Sequence, residues 1–193
     1  MNLKKLFFAA VIVLTANASF AQDTKVAAHL VTITIPQIAL LDLEDVVGGS
    51  ETVGDISLVG TAPTEAGEAM TFGTAATNNS IWMNYSSILG TAVSRKVTVS
   101  MTGTLPAGLK LTVTAGAYSG VGKGTTGAPT GIISLNGSPQ DIIGGIGSAY
   151  TGNGAKNGHQ LTYQLGYADT ENYAGLDSDN SAALTITYTL LDI

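Results

Sequence analysis

Apolar and polar residues alternate with a period of two along much of this chain. The clearest case is Ala183–Leu191, where Leu184, Ile186, Tyr188 and Leu190 are spaced by Thr185, Thr187 and Thr189. Successive side chains of a strand point to opposite faces, so such a row predicts a strand with one face buried. Burying those four side chains gives roughly 6–12 kcal/mol at about 1.5–3 kcal/mol each. Fixing nine backbone residues costs roughly 9–18 kcal/mol. The strand therefore needs sheet neighbours and a second apolar layer.

The same alternation predicts a strand at Val31–Ile35, stopped by Pro36, and another at Ile38–Glu44, with Leu41 and Leu43 set against Asp42 and Glu44. Val47–Ser50 reads as a turn, Ile56 and Leu58 as a short strand, and 60–67 as a loop around Pro63. Ser80–Leu89 is a further strand and carries the single tryptophan, Trp82. The rows Val97/Val99/Met101 and Leu109/Leu111/Val113 flank Leu105-Pro-Ala-Gly108, which predicts a hairpin. Gly116–Gly131 reads as a flexible Gly/Thr loop. A short strand at Ile132–Leu135 closes on Asn136-Gly137, and Leu161–Tyr167 alternates again before a polar loop at Asp169–Ser181. About nine or ten strands with frequent turn signals, and no capped helical periodicity, predict an all-β antiparallel β-sandwich. No fixed repeat points to a propeller or β-helix.

Met1–Ala21 changes the picture from a fold to a location. Lys4 and Lys5, the apolar run Leu6–Ala16 and Ser19-Phe-Ala21 have the form of a secretory signal peptide, with cleavage expected after Ala21. The run is too short to span a membrane, and no second such run follows. The expected organisation is a leader, 1–21, and one sandwich domain, 22–193. Charged residues make up only 11% of the chain and glycines number 24, a composition of a turn-rich folded domain rather than a disordered one. Net charge is −6, and loss of the leader's two lysines makes the remainder more acidic. Without a basic stripe, nucleic acid is not an expected partner. There is no cysteine, hence no disulfide, thiolate nucleophile or thiolate metal site.

Candidate chemistry is sparse. Gly122-Lys-Gly-Thr-Thr-Gly127 has the letters of a dinucleotide fingerprint, but Ala128-Pro129 follows where a helix must begin. His29 and His159 lie far apart in sequence, and no Gly-x-Ser-x-Gly elbow is present, so no catalysis and no cofactor are expected. Asp177, Asp179 and Asn180 place three oxygen side chains in four residues, a partial calcium set that lacks the Gly and the distant Glu of an EF-hand loop. Trp82 has two readings. With Ile81, Met83 and Tyr85 inward, alternation puts Trp82, Asn84 and Ser86 on the other face, where an indole beside amides suits contact with a glycan or a partner protein. A shifted register would bury Trp82 as a core anchor.

The leader, the early Val-Thr-Ile-Thr-Ile strand, the cysteine-free Gly/Thr-rich middle and the terminal Leu-Thr-Ile-Thr-Tyr-Thr-Leu strand together resemble pilin-type β-sandwich proteins. These are the surface subunits of bacterial chaperone–usher fimbriae and their secreted relatives. The resemblance implies an immunoglobulin-like fold, export through the periplasm with an export chaperone and an outer-membrane pore as partners, and assembly by strand addition. The expected function is a secreted, non-catalytic structural or adhesive subunit at the cell surface. Its alternative is a free carbohydrate-binding module using Trp82. Val31, Ile33 and Ile35 form one apolar row free of charge or proline, which marks them for self-association or for pairing with a related subunit.

Overall fold

A computed structural model describes residues 25–46 and 53–193. The leader with its cleavage site and the turn at Val47–Ser50 lie outside the described residues. Pro36–Ile193 forms one compact unit, and the described residues 25–35 fall outside it.

Nine strands build the main unit: β1 Ile38–Asp45, β2 Thr77–Ile88, β3 Arg95–Thr102, β4 Leu109–Ala115, β5 Lys123–Pro129, β6 Ile132–Ser134, β7 Gln140–Tyr150, β8 His159–Tyr167 and β9 Thr185–Asp192. They form a single antiparallel sheet in the order β6-β4-β8-β2-β7-β3-β9, with β1 added to β2 and β5 added to β7. Two strands change partner along their length. Thr77–Met83 of β2 lies against β8, while Ser86 and Ser87 lie against β7. β7 in turn pairs with β3 through Gln140–Ile146 before it reaches β2 at Ala149 and Tyr150. The sheet folds over where these partners change. Met83, Val99, Val113, Ile143 and Leu161 then meet in one apolar core, although β3 and β4 stand three strands apart in the ladder. That closure makes the all-β sandwich.

Polar groups fasten the layers. Arg95 is 1% exposed. Its Nε donates to Asp192 Oδ1 at 2.5 Å, and its Nη1 donates to Ser87 Oγ at 2.9 Å and to the carbonyls of Ile38 and Ile88. Between β8 and β9, the Tyr163 and Tyr188 hydroxyls meet at 2.7 Å.

Several expectations change. Val31–Ile35 is not a strand but irregular, exposed backbone, and Ile56 and Leu58 pack on the core from an unpaired segment. The predicted hairpin is absent, because β3 pairs with β7 and β9 while β4 pairs with β6 and β8. Both rows are apolar enough to line opposite sides of the core, and the Gly103–Gly108 link carries the chain across. Within the expected Gly/Thr loop, β5 pairs with β7. Gly124 and Gly127 there have φ of +100° and +74°, which only glycine adopts freely, so this fingerprint serves an irregular edge strand. β7 was not foreseen. A bulge against β3 turns both Ile142 and Ile143 inward, and Gly144-Gly145 breaks the period.

Candidate functional site

An apolar groove of about 780 Å³ opens on the main unit. One side is Leu184 and, on β9, Ile186; the other is β4 and β8 with Leu111 and Leu165. The irregular segment that carries Ile56, Leu58, Met70 and Phe72 adds to its apolar wall, with Leu105 and Leu176. Asp177, Ser178, Asn180 and Ser181 give it a polar rim. β9 pairs with β3 along one edge, and no described strand pairs along its other edge. An unpaired edge beside an apolar groove is what an added strand requires, since the edge supplies backbone hydrogen bonds and the groove takes alternate side chains.

The row Val31, Ile33, Ile35 has the chemistry of such a strand. The three are 66%, 82% and 73% exposed and belong to no strand. Apolar β-branched residues held in water by an unpaired backbone carry both the hydrophobic gain and the hydrogen-bonding capacity of a future pairing.

Trp82 sits on the outer face of β2. Ile81, Met83 and Tyr85 belong to the core, whereas Trp82 does not and is half-buried. The unshifted register is therefore the one adopted. Glu44 lies directly opposite Trp82 on β1 and is buried, against the expectation that it face solvent like Asp42. Asn84, two residues on, is also buried, and its Nδ2 donates to the Asn157 carbonyl at 2.8 Å.

His159 opens β8 and is fully buried. Its Nδ1 meets the Gly116 carbonyl at 2.9 Å and its Nε2 meets the Tyr85 hydroxyl at 3.0 Å. Burial pushes the imidazole below its usual value, against the opposing pull of the Gly116 and Thr126 carbonyls. The Tyr85 hydroxyl, which also donates to the Thr126 carbonyl, is pushed above the usual tyrosine range by burial and then by Tyr118. Both ring nitrogens are engaged and the ring has no access to solvent. His29 lies exposed in the segment before Pro36.

Asp177, Asp179 and Asn180 are exposed and organised as a turn. Asp177 Oδ1 accepts from the Asp179 amide at 3.0 Å and Oδ2 accepts from Asn180 Nδ2 at 3.2 Å, so this carboxylate is engaged within its own loop. Among the described residues no three His, Cys, Asp or Glu side chains group as a metal set. Nor is any described helix long and apolar enough to cross a membrane. Sequence reasoning missed the His159–Tyr85 pair and the burial of Glu44 and Arg95, all of which depend on which strands become neighbours. No family model, curated protein or solved structure matches the chain.

Proposed function

We propose that this protein is an exported, non-catalytic structural or adhesive subunit of the bacterial cell surface that assembles by strand donation. In this reading Val31-Thr-Ile-Thr-Ile35 of one copy adds to the outer edge of β9 in the next, and its apolar row enters the groove between β9 and β4/β8. One observation carries the reading: an alternating apolar row stands exposed outside every strand, in a chain that also has an unpaired edge beside an apolar groove. Burying the three side chains would contribute roughly 4–9 kcal/mol at about 1.5–3 kcal/mol each. The resemblance to pilin-type subunits adds an immunoglobulin-like relationship, an export chaperone and an outer-membrane pore.

Deleting Gln22–Pro36 tests this directly. The truncated chain is expected to fold and stay soluble but to lose self-association in sedimentation or light scattering, with Ile33→Glu reproducing the loss. A truncated chain that assembles as before, or that unfolds as a monomer, overturns the reading. Intact mass of the exported protein should place Gln22, or its cyclised form, at the N-terminus.

A further inference from the structure

Hydrogen-bond accounting singles out the outer face shared by β1, β2 and β8. Among the described residues, the buried side-chain polar atoms without a partner are Trp82 Nε1 and Asn84 Oδ1. They lie two residues apart on one face of β2. Glu44, opposite Trp82 on β1, is 4% exposed and adds a carboxylate to the same face. Directly opposite residues of an antiparallel pair share a face, so the three adjoin. Their neighbours are already committed. Gln160, opposite Trp82 on β8, donates to the Asn79 carbonyl at 2.8 Å, and Asp42, opposite Asn84, accepts from the Leu43 amide at 2.8 Å. Buried polar groups are normally paired, so two unmet ones on one face, with a carboxylate beside them, call for a partner outside the chain.

We propose that this face binds a neutral saccharide. The unmet pair is mixed, an indole N–H that can only donate and an amide oxygen that accepts, and the Glu44 carboxylate beside them only accepts. An anion would be repelled by Glu44 and would leave Asn84 unmet. An ammonium group only donates, so the indole N–H would stay unmet. A hydroxyl both donates and accepts, and a sugar adds an apolar ring face that stacks on an indole. The half-buried indole is the group the ligand meets first. It turns aside to admit hydroxyls to its own N–H and to the oxygens of Asn84 and Glu44. This site is independent of strand donation.

Trp82 is the sole tryptophan, so its emission reports this face and no other. The full chain is titrated with glucose, galactose, mannose, N-acetylglucosamine and their short oligomers. The expected result is a saturable emission change with at least one of them. Glu44→Leu is expected to weaken binding at least tenfold while leaving the fold intact, because it removes an acceptor that a ligand hydroxyl would meet. Asn84→Leu provides the same comparison should Glu44→Leu fail to fold. No saturation with any sugar means that the cluster holds water only and overturns the proposal. So does saturation by methylammonium or sulfate in place of sugars, or unchanged sugar binding in a folded variant.

Discussion

Replacing Arg95 by Met tests what fastens the two layers. The substitution keeps the apolar stem and removes a guanidinium that joins β3 to Asp192 on β9, to Ser87 and Ile88 on β2, and to Ile38 at the start of β1. Two partly buried carbonyls and a buried hydroxyl then lose this donor, at about 1–3 kcal/mol for each group left unmet. Breaking a fully buried ion pair costs about 3–5 kcal/mol. Asp192 is 53% exposed, so solvent screens its share and the carbonyl contacts dominate. The expected loss is about 3–5 kcal/mol, read as a lower urea midpoint with an unchanged slope. Asp192→Asn, which leaves the guanidinium on its carbonyls, should cost about 1 kcal/mol or less. A loss under about 1 kcal/mol for Arg95→Met would refute the reasoning, as would equal losses for the two variants.

The other predictions concern the core, the buried histidine and the acidic turn. Because burial lowers the folded pKa of His159, the unfolded ring takes up a proton that the folded ring refuses. Its contribution is complete above about pH 6.5 and is lost as pH falls through the folded value. Melting curves taken across that range should slope less in His159→Gln than in the parent. Ile146→Ala should cost about 2–5 kcal/mol in chemical denaturation, since the side chain is fully buried in the core. EDTA should leave the melting temperature unchanged; a drop reversed by calcium would instead assign Asp177 and Asp179 a metal.

Elements with an unbroken period were legible in the sequence. Ser80–Leu89, Leu161–Tyr167 and the terminal threonine-spaced row are strands because one apolar face recurs at every second residue, and local sterics with burial suffice to define them. Val31–Ile35 has the same period yet forms no strand, because alternation states what a segment can bury and not whether a neighbour is present. β7 escaped notice for the opposite reason: its bulge and paired glycines erase the period, while the neighbours on either side impose the strand. The proposed saccharide face was half legible. Alternation placed Trp82 and Asn84 together, but the burial of Glu44 depends on the register of β1 against β2.

The strand order also sets when the sheet can form. Apart from β1 with β2, every ladder joins strands that are not consecutive in the chain, and β3 waits for β7 and for β9, the last strand made. Eighty-odd residues separate the end of β3 from the start of β9. At about 5–20 residues per second, synthesis of that stretch takes roughly 4–17 s. Until β7 is made, a little over halfway through that stretch, β3 lacks both its partners; it then still lacks β9, and pairings this distant in sequence form slowly even afterwards. A nascent chain of this kind remains open for many seconds, which leaves time for a translocation machinery to receive it unfolded, as the proposed export requires. The cost is a long interval in which apolar strands stand unpaired.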